Sequence, residues 1–203
     1  ILIGVTLMGL TFGQQPFTFL AGYSIGGVLT LMFVWFTRRT PEDRAALRLG
    51  AITSNSLLLI AFLCFGIALA EDVLRRYQPV PELQYFTGTA AEWTLAVLLM
   101  VIVQPLAEEI VFRGVLYPAL RVTFGVGTGI FACALAQAVF HFLSYTPAQL
   151  DINTLWVTFA LPYLSSLVLT LIRAYTGSTR AAIVGHAAFG LFAIVKLFAF
   201  GSM

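Results

Sequence analysis

The chain has 203 residues, 60% of them hydrophobic and 10% charged, with a formal net charge of +2 and a mean hydropathy of +0.94. Soluble globular domains carry about 25% charged residues, so this composition excludes a water-soluble globule and reads as an integral membrane protein. The near-neutral balance also argues against nucleic acid as a partner.

In chain order, residues 1–12 (ILIGVTLMGLTF) show no basic n-region and no small-residue cleavage site. They read as the tail of a span or an interfacial helix rather than as a signal peptide. A membrane helix needs about 20 apolar residues, and six stretches meet that need: 17–36, 51–70, 92–112, 126–145, 153–172 and 181–200. Gly22 and Gly26 give the first span a small-xxx-small spacing suited to helix packing. Cys64 and Cys133, each within an apolar run, read as small buried hydrophobes rather than a disulfide or a metal pair. No strand pattern or internal repeat interrupts the series. The expected fold is an all-α, polytopic helical bundle of about six to seven transmembrane helices. It forms a single membrane domain over 1–203, with a catalytic-type core at about 92–200.

Arginine placement orients the spans. Residues 37–50 carry Arg38, Arg39, Arg44 and Arg48 against Glu42 and Asp43. Residues 71–92 carry Arg75 and Arg76 against Glu71, Asp72, Glu82 and Glu92. The later connections hold Arg113, Arg121, Arg173 and Arg180. By the positive-inside rule, 37–50, 113–125 and 173–180 are expected on the cytoplasmic side.

The stretch 98–120, LLMVIVQPLAEEIVFRGVLYPAL, sets Glu108, Glu109 and Arg113 in an apolar segment. Such charges cost about 2.5–3.5 kcal/mol each on insertion scales and mark functional interiors. Glu109 precedes Arg113 by four residues, the favourable order for a helical ion pair, so these two read as a structural pair. Glu108 points about 100° away and needs a partner from another helix. The two histidines, His141 and His186, both lie in apolar spans. A lone histidine there is usually a satisfied core residue; two of two, beside an orphan carboxylate, point to a shared Glu108/His141/His186 site.

Spacing supports that grouping. Glu108 and His141 are equidistant from the boundary Phe124–Gly125, inside the turn-like TFGVGTG, so an antiparallel hairpin there levels them. His186 lies ~10 Å into the last span and Glu108 ~24 Å from the outer edge of a ~30 Å core, which places the site in the inner half. At that depth the helix of His141 has to continue outward, yet SYTPAQLD breaks it. Residues 142–152 are then a re-entrant piece, or the hairpin projects from the membrane.

A glutamate with two histidines and no adjacent Ser or Cys nucleophile suggests an activated water. In one version the three side chains hold a zinc ion with an open fourth position. In the other, Glu108 and His141 deprotonate water while His186 supports the developing oxyanion. Both hydrolyse an amide, and both stand open at this level.

EEIVFRG, at 108–114, matches the EExxxR motif of the CPBP family, which comprises type II CAAX prenyl proteases with bacteriocin-processing and self-immunity relatives. His141 matches the histidine of the second motif, usually FxxxH. His186, in AAIVGHAAFG, matches that of the third, usually HxxxN or HxxxD. The chain resembles this family over about residues 92–200. The resemblance implies an intramembrane endopeptidase acting on a prenylated, leader-peptide or other membrane-associated substrate. Glu108 would be its base, His141 the neighbour, His186 the oxyanion support, and Glu109–Arg113 the helix-stabilising pair. The implied setting is the bilayer, in a bacterial inner membrane; the alternative is a non-catalytic membrane protein of partner binding or bacteriocin immunity. Two positions depart from the motifs. Gln137 stands where Phe is usual and reads as a packing change. Gly190 stands where Asn or Asp is expected, so one oxyanion donor is absent, a loss of about 10²–10³-fold if nothing replaces it. On that reading Gly190→Asn raises turnover.

Overall fold

A computed structural model describes residues 16–76, 88–145 and 150–200, together with Thr6, Met8, Leu10, Thr11 and Leu83. Among these every regular element is helical, and six helices are long and apolar enough to cross a membrane. The reading of residues 1–12 falls largely, and that of 142–152 in part, outside the described residues.

The elements are α1 (Pro16–Thr37), the short α2 (Pro41–Ala46), α3 (Ser54–Leu74), α4 (Ala90–Phe124), α5 (Val126–Tyr145), α6 (Ile152–Thr176) and α7 (Thr179–Phe200). Their starts follow from capping residues. Thr40, Thr53, Thr89 and Asp151 each accept a backbone N–H of the first turn, and Asp43 and Glu92 close reciprocal capping boxes. Gly125 (φ +85°) ends α4 and Gly177 (φ +67°) ends α6, both in the left-handed region that a side chain disfavours. The turn expected at Phe124–Gly125 is therefore where α4 gives way to α5. Gly129 sits there with its Cα turned to the backbone of Arg121, at a separation that leaves no room for a larger residue without a shift.

Three prolines shape the interior. Pro105, Pro118 and Pro162 lie within continuous helix, where a proline lacks the N–H for the i−4 carbonyl and its ring collides with that carbonyl. Each is preceded by a π-helical segment: Leu98–Val103, Ile110–Leu116 and Trp156–Ala160. The residue just before each proline bonds five residues back, Gln104 to Leu99, Tyr117 to Phe112 and Leu161 to Trp156. The wider turn keeps the backbone paired while making room for the ring. Glu108 and Glu109 lie on the α-helical stretch Gln104–Glu109 between the first two π segments.

Packing inverts the pattern of a soluble protein, because lipid accepts apolar surface. Leu59 and Phe62 of α3, Phe131 and Leu143 of α5 and Phe198 of α7 face outward, whereas Glu108, Glu109, Arg113, Gln137, Ser166, Thr170, Arg173 and Thr179 are buried. Helix α3 runs along α7, and α5 packs on both α6 and the end of α4. Polar ties reinforce these contacts. Ser165 Oγ lies 2.8 and 2.9 Å from the two carboxylate oxygens of Glu71, Lys196 Nζ donates to Asp72 at 2.5 Å, and Trp156 Nε1 donates to the Leu74 carbonyl at 3.1 Å. On α1 a tight approach falls at Gly27, where an added Cβ would stand 2.5 Å from Val103 Cγ1.

The structure corrects the arginine count. The third span does not end at residue 112 but continues as helix to Phe124, and Arg113 is buried within it. Arg173 is buried in α6. Neither belongs to a connection. Glu71 and Asp72, assigned above to a loop, form the buried end of α3.

Candidate active site

The two carboxylates are one helical step apart, ~100° around α4, and they face different helices. Glu108 meets α5: its Oε2 accepts the Gln137 Nε2–H at 2.6 Å and lies 3.4 Å from His141 Nε2. Glu109 meets α7: its Oε1 accepts from His186 Nδ1 at 2.7 Å and from Arg113 Nη1 at 3.0 Å. The hairpin thus brings Glu108 and His141 together. His186, expected to join that pair, is bonded to Glu109, and Glu109 does not turn away to Arg113 alone. The site is two carboxylate–histidine pairs side by side. The physical reason is that α4 lies between α5 and α7, so neighbouring positions each find a histidine on their own side.

This arrangement bears on zinc. The histidine nitrogens at these contacts are directed at two different carboxylates, and among the described residues no three His, Cys, Asp or Glu side chains converge as ligands of one ion. As placed, Glu108, His141 and His186 do not fit a shared metal ion.

Arg113 is fully buried, so its donors must be matched within the protein. Besides Glu109, Nη1 bonds Gln137 Oε1 in a short contact, Nη2 donates to the Ser166 carbonyl at 2.6 Å and Oγ at 2.8 Å, and Nε donates to Thr170 Oγ1 at 3.2 Å. Arg173 Nε in turn donates to the Arg113 carbonyl at 3.2 Å and to Thr179 Oγ1 at 3.1 Å. One network therefore joins α4, α5, α6 and α7 behind the two glutamates. Against it, Glu108 Oε1 and Glu109 Oε2 are buried without a hydrogen-bond partner among the described residues.

Sequence reasoning did not single out Ser166, Thr170 or Tyr145. Ser166, Thr170 and Arg173 follow one another at i+4 and i+3 on α6, a polar stripe that marks a helix facing a buried charge. Tyr145, one turn beyond His141, packs its ring 5.3 Å from the imidazole, and Tyr23 of α1 stacks on Tyr145 at 5.3 Å. The first span thereby walls the histidine from that side.

Gly190 is buried against α4. A Cβ built there would lie 1.9 Å from the Met100 carbonyl oxygen. Met100 belongs to the first π segment, so α7 comes in against widened backbone where no side chain fits. The asparagine of the usual third motif has no room at this position, and the expected gain from Gly190→Asn is withdrawn.

A family model described as type II CAAX prenyl endopeptidase Rce1-like matches residues 90–192. No curated protein and no solved structure matches the chain. The matched segment opens at the start of α4, contains both carboxylate–histidine pairs and closes beyond Gly190: the chain belongs to the Rce1-like family of type II CAAX prenyl endopeptidases.

Proposed function

We propose that the protein is an intramembrane endopeptidase in which Glu108 activates a water molecule. The observation that carries this is the state of the Glu108 carboxylate. It is buried, its Oε2 is fixed by Gln137 and His141, and its Oε1 has no partner among the described residues. A carboxylate held by one oxygen and open at the other is suited to accept a proton from water.

The steps follow from the donors present. Water gives a proton to Glu108 Oε1 and its oxygen attacks the scissile carbonyl carbon. His186 donates Nδ1–H to the Glu109 carboxylate, so a neutral ring leaves Nε2 without a proton. It can donate to an oxyanion through Nε2 only when both ring nitrogens carry protons. Collapse of the tetrahedral intermediate breaks the C–N bond, and the proton held by Glu108 passes to the leaving amine. Family membership favours a membrane-associated peptide, prenylated or of leader type, met within a bacterial inner membrane.

In proteoliposomes, wild-type protein should release the C-terminal tripeptide of a farnesylated CAAX peptide and Glu108→Gln should not, at equal accumulation. Dialysis against a chelator should leave the rate unchanged, and loss restored by zinc would overturn the metal-free step. A second reading, partner binding without cleavage, is favoured by Gly190, where the usual motif amide is absent. It would be supported if Glu108→Gln kept full biological function and neither protein cut the peptide.

A further inference from the structure

Gln137 occupies the position where the second motif usually carries Phe, and the structure gives it work that a phenyl ring does not do. Its side chain sits between Glu108 and Arg113. Nε2 donates to Glu108 Oε2 at 2.6 Å, while Oε1 accepts from Arg113 Nη1 and from Ser166 Oγ, the latter at 2.8 Å. The orientation of the amide is dictated by chemistry. A guanidinium has only donors and an ionised carboxylate only acceptors, so the oxygen must face Arg113 and the nitrogen must face Glu108. The group is buried and held at both ends.

Resting on the catalytic reading of Glu108, we infer that Gln137 is a positioning residue that selects which oxygen of Glu108 acts as the base. By engaging Oε2 it fixes the carboxylate plane and leaves Oε1 directed at the water. By anchoring on Arg113 and Ser166 it ties that plane to α6 as well as α5. A neutral amide does this without placing a second charge beside Glu108.

The test compares Gln137→Leu and Gln137→Glu in full-length protein in liposomes. Leu removes both ends of the bridge. Glu keeps the oxygen that accepts from Arg113 and Ser166 but replaces the N–H that faces Glu108. Cleavage of the farnesylated peptide should fall about 10–100-fold in kcat per folded protein with KM nearly unchanged in both variants, a loss larger than their change in accumulation and melting temperature accounts for. A purely structural Gln137 predicts instead that activity per folded protein is unchanged in both variants, and that result overturns the proposal. An independent readout is infrared difference spectroscopy of wild type against Glu108→Gln, which isolates the Glu108 carboxyl bands. Those bands should move in Gln137→Leu, and their staying in place also overturns the proposal. If the wild type does not cut the peptide, the endopeptidase reading fails, and the base-selecting role falls with it even where the infrared arm shows the contact.

Discussion

At the scale of single residues, the buried charges separate into those that hold and those that react. Arg113 meets Glu109, Gln137, Ser166 and Thr170. Its removal strands the buried Glu109 beside His186, a loss of about 3–5 kcal/mol. Arg113→Ala should therefore lower accumulation and melting temperature before activity can be assayed. Gly190 tests packing rather than chemistry. Even Gly190→Ala forces a methyl against the Met100 carbonyl, and overpacking of this kind costs about 1–3 kcal/mol or more. Gly190→Ala and Gly190→Asn should both reduce the melting temperature, and a stable, faster Gly190→Asn enzyme would show that α7 is not packed on the π segment. The identities of Glu108, Glu109, Arg113, His141 and His186 as the chemically interesting set were legible because charge is so rare in this chain. Spacing also made the pairs Glu108–His141 and Glu109–Arg113 legible. The bond of His186 to Glu109 was not, because it depends on how α7 is rotated about its axis, and no spacing within the chain encodes that. Gln137 was noticed as a motif departure but read as a packing change, because a glutamine in an apolar span resembles a tolerated polar exception until its partners are seen.

At the scale of elements, hydropathy located all six spans, and missed only the end of the third by twelve residues, since length and apolarity are what the bilayer selects. The turn between α4 and α5 was legible because Gly125 is one of the few residues able to take its backbone angles. The π segments were written in the sequence too, by Pro105, Pro118 and Pro162, but an apolar pattern with 3.6-residue spacing does not distinguish a helix that widens from one that breaks. These segments set the azimuth of everything after them. Pro105→Ala removes the steric reason for the first widening, and an α-helical repair would rotate Glu108 and Glu109 relative to α1 and α7. The expected result is a protein of equal or higher melting temperature with cleavage reduced at least 10-fold. Loss of stability with activity retained would mean that the widening is a packing device only.

At the scale of the molecule, the arginines left at the surface still define two sides. With Arg113 and Arg173 buried, the exposed set comprises Arg39, Arg44, Arg48, Arg121 and Arg180 on the side of the α4–α5 turn, against Arg76 at the end of α3. The positive-inside rule then predicts that this turn faces the cytoplasm. In a background with Cys64 and Cys133 replaced, Arg44→Cys should be shielded from an impermeant thiol reagent in intact cells and Arg76→Cys should react. The opposite pattern would invert the protein. Helix α4, at 35 residues, is ~50 Å long at 1.5 Å per residue against a ~30 Å core. Tilt or projection beyond the membrane has to absorb the difference.

The bond between Glu109 and His186 also carries a consequence for biosynthesis. Phe124, the last residue of α4, is made 55 residues before Thr179, the first of α7, so a nascent chain places two glutamates in lipid before either histidine partner is made. Glu109 enters with Arg113 on its own helix, and the arrival of α5 supplies Gln137 and His141 to Glu108. Only the final helix completes the set, and it can dock only where Gly190 slides past Met100. A chain stopped before α7 would present Glu109 with its arginine and no histidine, a half-finished polar surface of the kind that membrane quality control recognises. Completion of the site and completion of the fold are thus the same late event.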